Sequence, residues 1–228
     1  MKRRINILLG VFVCIMLYIC FASVMTPINF NKIKHERERK IITLLTDIRK
    51  AQQEYRKMHN GEYTSNFDTL IYFVRKQKIP FIIKEGNLSD KQLASGLTEK
   101  KAVYMVKKAR KTGNWDEVKK NRLTYFKRDT LWVSLKDTLF GKHFNPEYLR
   151  YIPFGHGREF EMETRRIMSS SNEPINLLEV RAPFDTYLDE LDPREIERLK
   201  EDTRKTGKYA GLQLGSINTP NNNTGNWE

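Results

Sequence analysis

The apolar and polar positions divide the chain into an uninterrupted apolar run, a group of amphipathic helices and a later group of short strands. Residues 5–25 contain no charged side chain. A helix of this length extends about 31 Å, which is close to the thickness of the hydrocarbon core of a bilayer. The run therefore predicts a transmembrane helix.

Other interpretations of the run stay open. A cleaved secretory signal also begins with basic residues and ends at small ones, as Ala22 and Ser23 do here. Lipidation at Cys20 is disfavoured because a bulky residue, Ile19, precedes it. A buried helix of a soluble core is disfavoured because the run is terminal and uninterrupted.

A narrow apolar seam follows on a highly charged helix. Its members recur at spacings of three and four residues: Ile41, Leu44, Ile48, Ala51, Tyr55 and Met58. The seam is shorter than three heptads, so it predicts packing on the chain's own domain rather than a free coiled coil. Asn60 and Gly61 are expected to end the helix.

Two further helical tracts come next. Ser65 or Asn66 can cap a short helix. Ser89 and Gln92 have capping-box spacing, which starts a third tract extending with a break to about residue 111. A late helix over 194–206 has acidic residues first and basic residues last, as the helix dipole favours.

Strand signals dominate the second half. Two β-rich runs, 124–126 and 131–135, predict a hairpin. The segments LRYIPF, REFEMETR, INLLEVRAP and GLQLGSI are further strand candidates. The predicted fold is α+β, with an N-terminal transmembrane helix, a long membrane-proximal helix and a small, mainly antiparallel sheet with flanking helices.

These elements predict five segments. They are a cytoplasmic N-terminus (1–4), a transmembrane helix (5–25), a membrane-proximal helix (26–60), an α+β periplasmic domain (61–217) and a polar tail (218–228), expected to be a loose end. Basic residues directly before the apolar run favour a cytoplasmic N-terminus, although the Lys and Arg on its two sides are nearly balanced in number. The predicted location is the inner membrane, single-pass, with the C-terminal domain exported.

The net charge of +13 raises the question of an anionic partner. A basic tract contains eleven Lys and Arg against two acids: Lys100, Lys101, Lys107, Lys108, Arg110, Lys111, Lys119, Lys120, Arg122, Lys127 and Arg128. It could contact phosphates, lipid headgroups or an acidic protein, or be a solvated helix face. Nucleic acid is disfavoured as a partner because no nucleic-acid-binding motif accompanies the tract.

Candidate chemistry is sparse. Both cysteines lie in the apolar run, so the rest of the chain has no disulfide and no thiol nucleophile. The four histidines have no metal-ligand spacing, and no nucleotide-binding or hydrolase motif is present. Glu159, Glu161 and Glu163 alternate on one predicted strand; a solvated face is favoured over a cation site. We therefore expect no enzyme, no cofactor and no metal.

The tripeptide Asp-Thr-Leu occurs three times, with its threonines at Thr69, Thr130 and Thr138. It resembles the O-glycosylation signal of exported proteins in some Bacteroidetes. Asp-Thr is also common at turns and helix caps, so both interpretations stay open.

The segment DIRKAQQEYRKMHNGEYTSNFDTL (47–70) resembles the N-terminal part of type IV pilin-like proteins and of the pseudopilins of type II secretion. Those proteins carry an A-x-x-x-Y step followed by a G-x-Y-(T/S)-x-x-(F/L)-x-x-L corner. The matching residues are Ala51, Tyr55, Gly61, Tyr63, Thr64, Phe67 and Leu70. If Gly10 is taken as the pilin cleavage site, Ile15 occupies the position of the glutamate that pilins carry.

The whole chain is also similar to uncharacterised single-pass envelope proteins of Bacteroidetes. Together, the resemblances imply a non-enzymatic structural subunit of an envelope or secretion assembly, which would associate with the inner membrane and with other envelope proteins as a hetero- or homo-oligomer. The alternative is a membrane-tethered module that binds polyanions, nucleic acid or acidic glycan, through the basic tract.

Overall fold

The computed structural model describes the backbone of residues 2–228 and the side chains from Leu9 onward. The predicted N-terminal segment 1–4 therefore lies outside the described side chains. The helices are α1 (Lys2–Met58), α2 (Phe67–Lys76), α3 (Asp90–Ala94), α4 (Glu99–Thr112), α5 (Asp116–Lys120), α6 (Leu135–Phe140), α7 (Phe184–Tyr187) and α8 (Pro193–Lys205), with a 3-10 helix at Pro146–Leu149. The strands are β1 (Lys78–Glu85), β2 (Lys127–Ser134), β3 (Glu161–Met168), β4 (Pro174–Pro183) and β5 (Gly211–Gly215). The predicted α+β class with small antiparallel sheets is confirmed.

The first helix changes character along its length. Between Leu9 and Ile28 its large apolar side chains are exposed except for the partly buried Met25, whereas Phe30 is buried and starts the stretch that packs into the protein. Pro27 lies inside the helix without ending it. This helix is long and apolar enough to cross a membrane, and none of its apolar window is buried.

The chain divides into two compact units: unit 1 (1–74 and 143–228) and unit 2 (75–142). The segment 61–217, predicted as one α+β domain, includes all of unit 2 and part of unit 1. Unit 2 is thus an insertion between two parts of unit 1 in the sequence.

Unit 1 is built on an antiparallel sheet of order β3-β4-β5. Its central strand, β4, carries fully buried side chains such as Leu178 and Val180. The C-terminal half of α1 contacts the 3-10 helix and β5. The buried positions of that half are Ile41, Leu45, Ile48, Ala51 and Gln52.

Unit 2 has a two-stranded antiparallel ribbon, β1 with β2, and four helices, α3 to α6. Its core consists of Leu97, Ala102, Val106, Ala109, Val118, Leu123 and Phe126. The predicted capping box is confirmed, because Ser89 Oγ accepts from the Gln92 amide and the Gln92 side chain accepts from the Ser89 amide.

Two predictions about local structure are wrong. Residues 124–135 do not form a hairpin; 127–134 is one strand that pairs with 78–85, a strand that the proline at position 80 concealed. The segment LRYIPF is not a strand, but includes the end of the 3-10 helix and a turn whose only pairing there is the single bridge between Tyr151 and Glu159.

The prediction that residues 218–228 are a loose end is also wrong, because this tail is hydrogen-bonded to the rest of unit 1. Asn226 donates from its backbone to Gln213 O at 2.9 Å, and its side chain donates to Gly211 O at 2.9 Å. Arg49 on α1 donates to Asn223 O at 3.2 Å and pairs with Glu228 at 2.8 Å. The polar side chains that suggested disorder serve as hydrogen-bonding groups.

Candidate functional site: the Phe154 groove and the α1 surface

An open groove of about 520 Å³ runs along the first exposed turns of α1 after the apolar stretch. It is lined by Ile33, Glu36, Arg37, Arg39, Lys40, Thr43 and Phe154. We call it the Phe154 groove. Ile33 follows Ile28 by five residues, which is about 8 Å along a helix. The groove therefore begins directly beyond the exposed apolar stretch.

Phe154 has an unusual backbone conformation. Its φ is +62°, and His156 and Gly157 in the same turn also have positive φ values. A bulky side chain in this region costs about 1–3 kcal/mol and persists only where surrounding contacts fix it. Such strain is concentrated at functional sites, which singles out this turn.

The Phe154 ring contacts two cations of α1. The Arg37 guanidinium carbon lies 4.9 Å from the ring centroid and Lys40 Nζ lies 5.1 Å from it. Arg37 is already committed, because it donates to Tyr187 O at 2.6 Å and to Glu190 Oε2 at 2.7 Å. Lys40 is exposed, so it is a cation that an incoming ligand can meet, as is the exposed Arg39.

The turn behind Phe154 is held rigidly. Arg158 donates to Asp185 O at 3.0 Å and to Thr186 O at 2.7 Å, and it pairs with Asp189. Gly155 leaves no room for a side chain, because an added Cβ would lie 2.9 Å from a backbone oxygen. The groove is therefore preformed.

Tyr187 lies behind Arg37, whose guanidinium donates to its backbone oxygen. It is fully buried, and its hydroxyl donates to Glu38 Oε1 at 3.2 Å. Burial, together with the Glu38 carboxylate, raises the pKa of Tyr187 well above its ordinary value. The phenol stays protonated and remains a hydrogen-bond donor.

The arrangement offers a surface for binding. It offers apolar surface from Ile33 and Phe154 beside the exposed charge of Lys40. No group of three or more His, Cys, Asp or Glu that could hold a metal occurs among the described residues. Docking of an apolar segment or of an anionic group is the chemistry that this surface offers.

The seam residues lie on α1 as follows. Ile41, Ile48 and Ala51 are buried, Leu44 and Tyr55 are partly buried, and Met58 is 40% exposed. Leu45 and Gln52 are also buried and were not predicted from the sequence. Gln52 was missed because it is polar, although an amide at a seam position is a recognisable signal for a buried hydrogen-bonding group.

Gln52 ties the helix to the corner that follows it. Its Nε2 donates to Thr64 O at 2.6 Å, and its Oε1 accepts from Thr64 N at 3.2 Å. Gly61, with φ of +84°, makes the turn. Phe67 and Leu70 are buried on α2, which starts at the predicted cap, Asn66.

Tyr63 joins the corner to the C-terminal segment. Its hydroxyl accepts from Arg56 Nη1 at 3.2 Å and from Asn223 Nδ2 at 2.9 Å. The Arg56 guanidinium also lies over the Tyr63 ring. Helix, corner and tail thus meet at one side chain.

The basic tract lies in unit 2. Nine of its eleven members are exposed, while Lys127 and Arg128 are partly buried. Arg128 is committed to the fold, because it pairs with Glu99 at 2.7 Å and donates to Glu85 O at 2.8 Å. The hydrogen bond from Arg128 holds the pKa of Glu99 below its usual value.

The alternating glutamates of β3 do not form an open carboxylate face. Arg181 on β4 pairs with Glu161 at 3.1 Å, with Glu163, and with the buried Glu179 at 3.0 Å. Although burial opposes it, the charges of these three carboxylates raise the pKa of Arg181. Arg181 thus supplies positive charge to these carboxylates, as a bound cation would.

The three Asp-Thr-Leu threonines are exposed. Thr69 is in the first turns of α2, Thr130 is on β2 and Thr138 is on α6. All three are in regular structure. The hydroxyl of Thr138 donates to Ser134 O at 3.0 Å.

Phe154 and Arg37 were not singled out from the sequence. The glycines at 155 and 157 indicated a turn there, but the positive φ of Phe154 is visible only in three dimensions. Comparison of the chain with protein-family models, curated proteins and solved structures gives no match.

Proposed function

We propose that this chain is a non-enzymatic, membrane-anchored structural subunit of a bacterial envelope or secretion assembly, with pilin-like organisation of its N-terminal part. The observation that carries the proposal is the dual character of α1. One continuous helix exposes apolar side chains from Leu9 to Ile28 and then forms the core of unit 1 from Phe30 onward. A helix of this kind transmits the position of the anchor directly to the folded unit.

The length of the exposed stretch supports anchoring. Twenty helical residues extend about 30 Å, the thickness of the hydrocarbon core. In this proposal the N-terminus is cytoplasmic and the folded units are exported from the inner membrane. The Phe154 groove then lies near the membrane surface, where a neighbouring subunit can contact it.

The order of elements in unit 1 is compatible with a pilin-like role. A long helix, a glycine corner and an antiparallel sheet follow one another, as the resemblance in segment 47–70 implies. Position 15 is isoleucine, so any packing of neighbouring α1 helices would be apolar there rather than based on a glutamate.

Native thiols provide a test of the anchor. Cys14 and Cys20 are exposed on α1 and are the only cysteines of the chain. In intact membranes they should resist a hydrophilic maleimide and react after detergent is added. A Thr43→Cys variant on a Cys14→Ser, Cys20→Ser background is the control, because Thr43 lines the groove and should react without detergent. Labelling of the native thiols in intact membranes would contradict the anchor.

A second experiment tests assembly and topology. A photo-crosslinker at Arg39 should capture a neighbouring subunit, while one at Tyr72, which is 66% exposed on α2, is the control for random capture. Equal capture at both positions, or monomer only, would count against a structural subunit. A C-terminal topology reporter that gives a cytoplasmic signal would exclude an exported domain.

Binding of polyanions remains the second candidate function, because charge is concentrated in unit 2. That unit has 18 Lys and Arg against seven Asp and Glu, a net +11 of the chain's +13. Contacts with phosphate or sulfate predict affinity that falls steeply with salt. Absence of heparin and single-stranded DNA binding at low salt would reject this candidate.

A further inference from the structure

The ribbon of unit 2 exposes large apolar side chains on both faces. Phe81 and Leu131 are directly opposite on one face and are 61% and 49% exposed. On the other face Trp132 lies opposite Pro80, with Ile82 two residues along; Trp132 is 63% exposed and Ile82 is 56% exposed. Exposed apolar clusters of this kind are typical of interaction surfaces.

Two positions on the edges of the ribbon, Pro80 and Thr130, offer no free N–H to another strand. Leu135 N donates to Gln77 O at 2.9 Å, so in an antiparallel ladder the pair Pro80–Trp132 directs its backbone groups outward. Proline has no N–H to offer there. On β2 the outward N–H of Thr130 is satisfied by Asp129 Oδ1 at 2.9 Å. A partner would therefore meet the faces of the ribbon rather than its edges.

Positive charge frames the Trp132 face. Lys78 and Lys84 are exposed and lie in the same row as Pro80 and Ile82, one at each end. The rest of unit 2 adds to this charge, whereas unit 1 has a net charge of only +2. An acceptor surface must accordingly combine apolar and anionic groups.

We propose that the β1–β2 ribbon is a second membrane contact, which docks on an anionic bilayer surface at the depth of the headgroups. Tryptophan favours the lipid–water interface, and lysines there keep their ammonium groups in water while their stems lie against apolar surface. A fluid interface can contact Phe81 on one face and Trp132 on the other, which a rigid protein partner seated on one face cannot. Backbone groups at the ribbon edges that pair with no other strand would be costly in the hydrocarbon core, so the ribbon stays at the lipid–water interface.

This proposal does not depend on α1 spanning a membrane, and the test separates the two. The full chain is reconstituted into nanodiscs of zwitterionic lipid, or into an amphipol if it does not insert, and phosphatidylglycerol vesicles containing brominated lipid are added. We expect tryptophan fluorescence to be quenched. The quenching should be lost in Trp132→Phe, which keeps the apolar ring, and absent with phosphatidylcholine vesicles.

Variants separate apolar docking from attraction by charge alone. Trp132→Ser should weaken vesicle binding about tenfold, because the indole is the largest side chain of the face. Tyr72→Ser in unit 1, at a comparably exposed aromatic, should have no effect. Lys84→Gln should weaken binding about fivefold, in line with about 1 kcal/mol for each basic residue near an anionic surface.

Three results would overturn the proposal. They are vesicle binding that Trp132→Ser leaves unchanged, absence of Trp132 quenching in bound protein, and shielding of Trp132 by a co-purified protein in place of lipid. The first result would indicate contact through the basic tract only. Heparin binding is the control measurement for attraction by charge alone, because Trp132→Ser should not alter it.

Discussion

The buried amide of Gln52 gives the sharpest test of how α1 is held to unit 1. Gln52→Leu keeps a similar volume but removes both bonds to the Thr64 backbone, at 2.6 and 3.2 Å. Each net hydrogen bond contributes about 1 kcal/mol, and a buried polar group left without a partner costs about 1–3 kcal/mol. Thr64 is partly accessible to water, so we expect unit 1 to lose about 2–3 kcal/mol of unfolding free energy.

The assay must report on unit 1 alone, because the chain has two units and its unfolding need not be two-state. On a Trp115→Phe, Trp132→Phe background the remaining tryptophan, Trp227, is in unit 1. Urea unfolding of the full chain in detergent micelles, followed by Trp227 fluorescence, gives the midpoint. Hydrogen exchange of the Thr64 amide should rise in parallel.

Gln53 is the matched control, since it is exposed on the same helix. Gln53→Leu should change the unfolding free energy by less than about 0.5 kcal/mol. Equal effects of the two substitutions would refute the reasoning. Gln52→Glu adds a diagnostic: burial should raise the pKa of the introduced carboxyl, so this variant should be more stable at acidic pH and lose stability as pH rises through that pKa.

Three more predictions follow from individual contacts. Burial, with the nearby Glu161, raises the pKa of Tyr209 to about 12 from 10.0. The neutral phenol is thus favoured in the folded state, so its contribution to the unfolding free energy should be full below pH 10 and fall between pH 10 and 12. In urea titrations at alkaline pH, Tyr209→Phe should lose about 1 kcal/mol less stability than the unsubstituted chain; the difference is no larger because the half-buried ring is partly solvated. Phe154→Asn should raise the unfolding free energy by up to about 1 kcal/mol, since asparagine tolerates positive φ, and should lower the yield of crosslinking from position 39. An increase in both the unfolding free energy and the crosslinking yield would contradict a binding role for the groove. Ser89→Ala should destabilise the start of α3 by about 1 kcal/mol, visible as faster exchange of the Gln92 amide, with Ser95→Ala at the other end of α3 as the comparison.

Local signals predicted much of the regular structure, because caps and glycine turns act through adjacent residues. Asn66, Ser89 and Gly61 each fixed an element end that the structure confirms. The ribbon was missed for the opposite reason. Its strands are separated by more than 40 residues, and no local pattern pairs Phe81 with Leu131.

The candidate site was less predictable than the fold. The Phe154 groove depends on a turn near residue 154 meeting α1 near residue 37, which is a contact between distant parts of the sequence. Polarity also misled the reasoning about the tail. Asn223 and Asn226 suggest a solvated end by composition, but their amides complete the hydrogen bonding of Tyr63 and of the β5 backbone.

Most of unit 2 lies between two of its residues, Gln77 and Leu135, that are hydrogen-bonded to each other. Because Gln77 O and Leu135 N are 2.9 Å apart, the 57 residues between them leave and return through a single gap in the chain. A two-residue turn could close that gap, and loop-closure entropy depends only weakly on loop length. A chain shortened there would lose most of its net positive charge. It would keep the sequence of α1 and of the β3-β4-β5 sheet intact.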